Sequence, residues 1–374
     1  MTYELTTAFM GLVKQMRKPA NGLLGFFSAT PSNVTEATVI EFDVLKQRAV
    51  VAKAKPRPGE PTMNGRDVFT TLSYTPPIYK EEVPFTIENL KKRQPGFDKY
   101  DPQTQTALVM EFAANAVAPL LDKIANAELL QVAKTLHGGT IPFKTDGMAE
   151  GYVADLSFGA PGANFATLTN STGTLYWDNT SAVPFKNLDD FCRLIRTNAG
   201  GRTFVRDIIF GYEAFSAMLS TTDAEAKLNN LRINMGGIDA QEADDVNGMA
   251  FLGTYLLGGK KVRFWMFDET YIDPSDNATV KDFLDPKSVY FIGDGDYQLY
   301  HAGIDVIKDI SDPQLASFLP ANGFIRDIGD SIASSLYVRT RKDEKASAVY
   351  LEVTKSPLYV PRTVDTFGRL TVMA

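Results

Sequence analysis

The sequence predicts an α+β fold, and three observations support this class. First, helix-compatible residues run from Gln103 to His137 with only one proline inside. Second, the runs on either side are strand-like in composition and are separated by proline and glycine turns. Third, predicted helices and strands alternate from Val183 onward. With 374 residues, of which 44% are hydrophobic, the chain is long enough for a sizeable core and two domains.

Residues 1–45 are predicted to form an N-terminal arm. Gly22 and Gly25 interrupt this segment, so one continuous regular element is not expected. A short amphipathic helix is indicated near its start by four apolar residues, Phe9, Met10, Leu12 and Val13.

Residues 46–85 read as an extended loop with no core of its own. Ala49–Ala52 and Val68–Tyr74 are strand-like, and the tip between them, residues 53–61, carries three prolines and a glycine. A lone hairpin is marginally stable in water, so such a loop is ordered mainly by what it lies against. Two limbs of about 15 residues would reach about 50 Å at roughly 3.3 Å per residue. That reach is more useful between subunits than within one.

Residues 86–180 contain the long helix, predicted over 103–137. Asp101 supplies an N-cap, Pro102 occupies the first helical position, and Gly138 with Gly139 ends the helix. At about 1.5 Å per residue it is a rod of roughly 50 Å. Pro119 is expected to kink or divide it. An apolar stripe along one side is formed by Val109, Ala113, Ala116, Val117, Leu120, Ile124 and Leu136. A β-rich stretch follows, from Thr140 to Phe158.

Residues 181–345 predict a compact α/β domain. Helices are expected over 187–199, 212–219 and 223–234, and strands over 207–211, 251–257, 262–267 and 288–293.

Residues 346–374 begin with a strand at Ala348–Val353 and are too apolar for a free tail. We expect this segment to return to the region of the long helix and to join a sheet edge, because Pro357 and Pro361 break a ladder of hydrogen bonds. Gly368 is expected to mark a turn or bulge.

Three segments imitate ligand-binding motifs without completing them. Gly293–Asp296 lacks the third glycine of a dinucleotide fingerprint and predicts a tight turn. Asp273–Asn277 begins like a calcium loop, but Ala278 and Leu284 stand where a glycine and an acidic residue are needed. Gly258–Lys261 predicts a hairpin turn and lacks the spacing of a P-loop.

Titratable residues give no better candidate for chemistry. His137 is expected at a helix C-terminus, where a cation favours the dipole, and His301 in a strand. Two histidines make a histidine-based triad or a multi-histidine metal site implausible, while a carboxylate-only site stays open. The acidic run 239–245 could in principle bind a cation, but the prediction is a solvated loop. Lys91–Arg93 predict either a pairing surface between subunits or an exposed patch. The sequence thus predicts no catalytic residue, no metal site and no cofactor.

The overall charge and the cysteine count further narrow the possible functional classes of the protein. A formal charge of -7 argues against a nucleic-acid-binding protein, whose footprint would be basic. The single cysteine, Cys192, excludes an intramolecular disulfide framework, fits a reducing cytoplasm and is predicted to be a small core residue. No run approaches 18 apolar residues and no signal peptide is evident, so neither a membrane span nor export is expected.

The order of these segments resembles a known family. An arm, a loop with a proline- and glycine-rich tip, the run Pro76–Val83 and then a long helix are similar to the major capsid proteins of lambda-like tailed bacteriophages, which adopt the Hong Kong 97-type capsid fold. Val34–Val39, Lys355–Leu358 and Leu370–Ala374 resemble the family at the corresponding places.

The resemblance implies a structural protein rather than an enzyme. Residues 86–180 would be the peripheral domain with its spine helix, 181–345 the axial domain, and 346–374 a return to the peripheral domain. Subunits would assemble in the host cytoplasm into hexamers and pentamers of an icosahedral head that encloses double-stranded DNA. Scaffolding, portal and decoration proteins are the implied partners, with scaffolding expected from a separate protein because no long charged helical segment precedes the arm.

Residue roles follow from the same resemblance. Expected contacts between subunits are made by Lys53, Lys55, Arg57, Glu60, Met63, Arg66, Phe9 and Phe26. The expected core of the spine comprises Val109, Val117, Leu120 and Ile124. Two alternatives stay open: an encapsulin-type nanocompartment shell with the same fold, and a cytosolic enzyme with the α/β domain as its catalytic module.

Overall fold

The structure of the protein is a computed structural model. It describes residues 22–45, 69–86, 102–149, 153–169, 171, 175–201, 203–228, 248–273, 278–307, 329–332, 335–343 and 348–374. For residues 85–86, 102–114, 306–307, 329–332, 340–343 and 348–349 the description covers the backbone only.

The described residues form four α-helices, two 3-10 turns and many short strands. The helices are α1 (Pro102–Gly138), α2 (Pro184–Asn198), α3 (Tyr212–Leu219) and α4 (Thr222–Leu228), and the 3-10 turns are Leu24–Phe26 and Gly162–Asn164. The strands are β1 (Ser28–Val34), β2 (Ile40–Leu45), β3 (Phe69–Tyr74), β4 (Tyr79–Thr86), β5 (Thr140–Ile141), β6 (Leu156–Ser157), β7 (Phe165–Thr167), β8 (Val205–Phe210), β9 (Met249–Leu257), β10 (Lys260–Phe267), β11 (Thr270–Ile272), β12 (Val280–Asp282), β13 (Ser288–Gly293), β14 (Tyr297–His301), β15 (Ile304–Ile307), β16 (Gly329–Ile332), β17 (Tyr337–Asp343), β18 (Ala348–Lys355), β19 (Pro357–Pro361) and β20 (Phe367–Thr371).

A six-stranded mixed sheet organises the larger part of the molecule, with strand order β7-β20-β13-β8-β10-β9. Every residue of β13 is buried, because both faces of the sheet are covered. On one face, Ile208, Phe210 and Phe291 pack with apolar residues of α2 and α3. On the other face, Ile209 and Tyr290 pack with the C-terminal part of α1. The predicted α/β segment and the long helix therefore share one sheet as a common core.

The earlier part of α1 packs on a second, three-stranded sheet with order β17-β18-β4. Val117, Leu120 and Ile124 lie against Val338, Leu351 and Val353, and all six side chains are buried. The side chain of Val109, the fourth predicted core residue, lies outside the described part of the chain. One helix thus packs on both sheets and connects them through apolar contacts.

Helix α1 runs through Pro119 instead of dividing there. Proline removes the hydrogen bond to the carbonyl four residues earlier, which belongs to Asn115. Both Asn115 and Pro119 are exposed, so water can solvate that carbonyl. The helix ends as predicted: Gly139 adopts φ +66°, and its N–H donates to the Thr135 carbonyl at 2.8 Å.

The C-terminal segment joins three different sheets, which corrects its predicted placement. β18 pairs with β4 beside α1, and β19 pairs with β14 at the edge of a three-stranded sheet. β20 instead lies between β7 and β13, inside the six-stranded sheet. Phe367 packs into the cluster with α1 and Leu370 into the cluster with α2, so β20 needs cover on both faces and belongs in the interior of the sheet. The edge prediction is wrong for this last strand.

Gly368 also has a different role from the predicted turn or bulge. It lies within β20, opposite Phe291. A Cβ at this position would stand 2.5 Å from the carbonyl oxygen of Asn164. The glycine is required by a close approach of two backbones rather than by a change of direction.

The stretch from Thr140 to Phe158 contains less strand than predicted. Only Thr140–Ile141 and Leu156–Ser157 pair among its described residues. The Asp155 carboxylate accepts hydrogen bonds from the backbone N–H groups of Lys144 and Thr145, at 2.7 and 3.1 Å. These bonds fix turns where composition alone indicated strands.

Candidate assembly surfaces

The base of the extended loop is a two-stranded ribbon, β2 paired with β3 from Ile40 opposite Tyr74 to Leu45 opposite Phe69. The outgoing strand therefore begins inside the segment predicted as the N-terminal arm, and the predicted boundary at residue 46 falls just beyond it. One face of β2 is buried, through Ile40, Phe42 and Val44. The predicted lack of a core does not apply to this base, because the three side chains pack on Phe143, Phe158, Leu358 and other apolar residues.

Arg362 fastens this base to the C-terminal segment. Its Nη1 donates to Asp296 Oδ2 at 3.0 Å, and its carbonyl oxygen accepts the N–H of Leu45 at 2.8 Å. A further bond joins the two strands of the ribbon, from Thr71 Oγ1 to Asp43 Oδ1 at 2.6 Å. The ribbon is thus anchored to the C-terminal segment at its Leu45 end.

Most of the predicted contact residues lie outside the described part of the chain. They are Lys53, Lys55, Arg57, Glu60, Met63, Arg66 and Phe9. Phe26 is described, in the 3-10 turn that follows Gly22, and it is half-buried against the cluster formed by α1 and the six-stranded sheet. Its neighbours Leu23 and Phe27 are buried in the same cluster. The arm is therefore attached to the spine at Leu23.

A buried polar cluster ties the spine helix to both neighbouring strands of the C-terminal segment. Glu128 of α1 is 4% exposed, accepts a hydrogen bond from the Tyr359 hydroxyl at 2.7 Å and pairs with the Lys355 ammonium. One turn further, Gln131 donates to the Tyr79 hydroxyl at 2.8 Å. Burial and the Glu128 carboxylate raise the pKa of Tyr359, and burial raises the pKa of Tyr79 to about 12. Both tyrosines therefore stay neutral hydrogen-bonding groups.

His137 does not act as the dipole-stabilising cation that its position predicts. Its Nδ1 lies 3.2 Å from the Tyr290 hydroxyl, and the Arg369 guanidinium contacts the ring. Burial, followed by the Arg369 charge, lowers the pKa of His137 to about 4. The imidazole is consequently neutral near pH 7, because protonation would place two positive charges in contact.

Two of the three motif-like segments prove to be structural, while Asp273–Asn277 lies outside the described residues beyond Asp273. A Cβ on Gly293 would stand 2.5 Å from the Thr366 carbonyl oxygen, and Gly295 is equally confined by Thr363, so the turn leaves no cradle for a phosphate. Gly258 and Gly259 have φ of +56° and +78° and join β9 to β10 as a hairpin. Cys192 is partly buried against the apolar core, and burial raises its pKa to about 12.

One cavity of about 410 Å³ lies between α1 and the β11–β12 hairpin. Its carboxylates already have partners: Lys134 pairs with Asp146 at 2.6 Å, and Lys281 pairs with Asp273. Across the described ranges, no group of three or more histidine, cysteine or acidic residues could hold a metal ion. No helix within those ranges is long and apolar enough to cross a membrane.

Sequence reasoning missed the residues that fasten these surfaces. Arg362 and Asp296 are 66 positions apart, and Glu128 and Tyr359 are 231 apart. A single charged or hydroxyl residue in a strand pattern carries no signal of its distant partner. The only local hint was Arg362 next to Pro361, at the end of a run otherwise apolar.

The fold matches that of a solved capsid protein along its whole length. The chain superimposes on the protein assigned as the capsid protein of a prophage in E. coli CFT073 with a TM-score of 0.58 and 11% identity, covering 100% of this chain and 99% of the other. A phage-related protein of Bordetella bronchiseptica RB50 gives a TM-score of 0.48 and 12% identity, with 97% and 95% covered. The predicted Hong Kong 97-type capsid fold is confirmed.

The family assignment rests on the sequence. The family model described as phage major capsid protein E matches residues 6–372, nearly the entire chain. The protein therefore belongs to the phage major capsid protein E family, and it is a component of the virion capsid. No curated protein matches the sequence significantly.

Proposed function

We propose that this protein forms hexamers and pentamers of an icosahedral phage head that encloses double-stranded DNA. The observation that carries the proposal is the anchored ribbon at the base of the extended loop. Leu45 and Phe69 are its last paired residues, so residues 46–68 connect two strand ends that lie side by side. A long connection starting from a buried, hydrogen-bonded base is suited to reach a neighbouring subunit.

The composition of the connection supports contact with a second copy. Residues 46–68 carry six basic side chains and two acidic ones, whereas the whole chain has a formal charge of -7. A basic loop on an acidic chain is electrostatically attracted to the surface of another copy, which steers association and fixes orientation. Its tip residues Lys53, Lys55 and Arg57 are therefore proposed as contacts, together with Glu60, Met63 and Arg66. Phe9 and Phe26 are proposed as contacts of the arm.

The two sheets are suited to two domains with different positions in the shell. We assign 86–180 to a peripheral domain, to which residues 346–374 return through β18 beside α1, and 181–345 to an axial domain around the capsomer axis. Because α1 packs on both sheets, a shift of one domain would be transmitted to the other through the helix. The acidic balance of the chain suits a wall along which DNA slides during packaging. Assembly would take place in the host cytoplasm, with scaffolding, portal and decoration proteins as partners.

The test is a loop replacement. Exchanging Lys53–Arg66 for a short Gly-Ser turn should leave a folded, soluble subunit that forms no closed shells, because the proposal assigns these residues to an interface and not to the core of their own subunit. Negative-stain electron microscopy and sedimentation measure closure, and circular dichroism measures folding. A matched variant keeps the loop length and changes only Lys53, Lys55 and Arg57 to serine; it should assemble, with reduced yield.

Three results would contradict the proposal in different ways. Normal shells formed by the loop-replacement variant would show that the loop is not needed for assembly. Discrete small oligomers of the unaltered protein would contradict shell formation by this chain alone. Shells that enclose protein cargo and no DNA during infection would indicate a nanocompartment.

A further inference from the structure

The hairpin formed by β11 and β12 presents an apolar pair to solvent. Ile272 is 60% exposed and Val280 is 62% exposed, which makes them the two most exposed large apolar side chains in the described part of the chain. They stand directly opposite each other across the two strands. Side chains in such a cross-strand pair touch, so they form one apolar surface rather than two isolated residues.

The charge around this apolar pair is acidic. Four carboxylates and one lysine lie among residues 268–273 and 278–283, and Lys281 neutralises one of the carboxylates. Asp268 and Asp282 are exposed and form no ion pair with any residue that the structure describes. Asp282 shares the outer face of the hairpin with Val280, two positions earlier in the same strand. We call four residues the hairpin patch: Asp268, Ile272, Val280 and Asp282.

An occupant that is both apolar and basic would complement the hairpin patch. Residues 9–18, in the predicted N-terminal arm, have this composition: five are apolar, three are basic and none is acidic. The basic residues are Lys14, Arg17 and Lys18, which follow directly on the apolar run that ends at Val13. Opposite charge at the margin of an apolar contact favours one orientation of the bound segment.

The arm also joins the described structure close to the hairpin. Leu23 is fully buried in the apolar cluster that contains Phe283, and Tyr271 of the hairpin packs against the same cluster. Phe9 precedes Leu23 by 14 positions, which span up to about 45 Å at roughly 3.3 Å per residue. Strands of three residues, such as β11 and β12, are only about 10 Å long. The outer face of the hairpin is therefore within reach of the arm of the same subunit.

The small size of the hairpin patch favours an occupant from the same chain. Two apolar side chains and two carboxylates offer much less area than a standard interface between separate proteins, so a free partner would bind weakly. A segment tethered to the same chain binds at a high effective concentration, on the order of millimolar for short linkers. The tether compensates for the small contact.

We infer that residues 9–18 of the arm bind the hairpin patch of their own subunit before assembly. Phe9 and the other apolar residues of this segment cover Ile272 and Val280, and its three cations face the two carboxylates. The inference rests on the proposed function in one respect. Because Phe9 is proposed to contact a neighbouring subunit in the shell, the arm has to leave the hairpin patch when subunits assemble. The hairpin patch thereby holds the arm back in the free subunit.

The test is a disulfide between the arm and the hairpin patch. Cys192 is the single cysteine, so Phe9→Cys/Val280→Cys in a Cys192→Ser background contains only the two introduced thiols. Oxidation at protein concentrations too low for assembly should join them within one chain, which non-reducing electrophoresis shows as a monomer of altered mobility. Phe9→Cys/Ile272→Cys is a second pair that should behave in the same way. Circular dichroism checks that each variant is folded.

A matched control places the second cysteine on a different exposed apolar residue. Leu219 is 45% exposed on α3, which packs on the opposite face of the six-stranded sheet from Leu23. Phe9→Cys/Leu219→Cys should form the disulfide at least about tenfold less, because the same tether then has no complementary surface to bind.

Charge reversal tests the electrostatic part of the contact. Asp268→Lys/Asp282→Lys, added to the Phe9→Cys/Val280→Cys protein, should lower the disulfide yield by about fivefold or more, because like charges then face each other. Adding Lys14→Glu/Arg17→Glu to that protein should restore the yield. The oxidised protein with unaltered charges should form no shells until the disulfide is reduced.

The outcomes separate this inference from the proposed function. If the unaltered protein forms no shells, the proposed function fails, whereas a disulfide within one chain still supports the contact of the arm. A disulfide that forms mainly between two chains, equal yields with the Leu219→Cys control, or a yield unaffected by charge reversal overturns the inference and leaves the proposed function standing. Normal shells from the fully oxidised protein overturn it as well, because the arm would then not have to leave the hairpin patch.

Discussion

Arg362 joins the base of the extended loop to a distant turn: its Nη1 lies 3.0 Å from Asp296 Oδ2, while its backbone carbonyl accepts the N–H of Leu45 at 2.8 Å. The pair is about one-third exposed on each side, so its direct contribution to stability is small, about 0–1 kcal/mol. Its side chain also contacts the ribbon of β2 and β3 directly, because Nε donates to the Asp43 carbonyl oxygen at 3.5 Å.

Replacing Arg362 by alanine should therefore affect assembly more than folding. We expect a melting temperature within a few degrees of the original and a clear loss of closed shells, because the backbone bond to Leu45 remains while the side-chain bonds to Asp296 and to the Asp43 carbonyl oxygen are lost. Arg362→Lys, which keeps the charge, should form more closed shells than Arg362→Ala and fewer than the unaltered protein. Equal losses of melting temperature and assembly would show that the residue is merely part of the folded core.

A charge on the spine helix should prevent folding. Val117 is fully buried against the three-stranded sheet, so Val117→Asp places an unpaired carboxylate in an apolar site at a cost of several kcal/mol. The expected result is insoluble protein. Asn115→Asp on the exposed side of the same helix is the matched control and should remain soluble. A soluble Val117→Asp protein with unchanged melting temperature would contradict this packing.

Gly368 gives a sharper test of the sheet. Gly368→Ala brings a Cβ to 2.5 Å from the Asn164 carbonyl oxygen, a backbone atom that cannot turn away, so we expect about 1–3 kcal/mol of destabilisation. Gly162→Ala, in the same local structure, meets no atom within 4 Å and should be nearly neutral. Chemical denaturation of both proteins measures the difference, and equal stabilities would refute the close approach.

Two truncations test which part of the C-terminal segment is needed for folding. Ending the chain after Thr354 removes β19 and β20, and with β20 an interior strand of the main sheet, so soluble expression should be lost. Removing only Met373 and Ala374 should be tolerated, because they follow the last strand. Shells recovered from the long truncation would mean that the segment is dispensable, which its burial opposes.

His137 should make the fold sensitive to acid. Its pKa falls from 6.5 in the unfolded chain to about 4 in the folded protein, so between these values the unfolded state binds more protons. Stability attributable to this group is intact above about pH 6.5 and declines as the pH falls toward 4. His137→Gln removes the titration while keeping a neutral polar side chain. The melting temperature of the original protein should fall more steeply over this range than that of the variant, and parallel curves would contradict the assignment.

Local sequence patterns predicted well those helices and strands whose structure is determined by their own residues. The long helix, the strand Ser288–Gly293 and the helix Tyr212–Leu219 follow from periodicity and from glycine and proline boundaries. His301 likewise lies in a strand as expected, at the end of Tyr297–His301.

Partner choice between elements could not be predicted in the same way. β20 reads as an edge strand because prolines precede it, yet both of its faces are apolar, and only the presence of α1 on one side and α2 on the other places it inside the sheet. His137 was expected to be charged from its helix position, but Arg369 reaches it from a strand 232 residues away. The resemblance to a known family predicted the kind of assembly, which residue spacing could not predict.

The most direct test of the central claim is electron cryo-microscopy of the purified, full-length protein after assembly. We expect closed icosahedral shells of hexamers and pentamers, with residues 46–68 of each subunit lying on an adjacent subunit and the ribbon of β2 and β3 still anchored at Arg362. Discrete small oligomers, or shells in which residues 46–68 contact only their own subunit, would contradict the account.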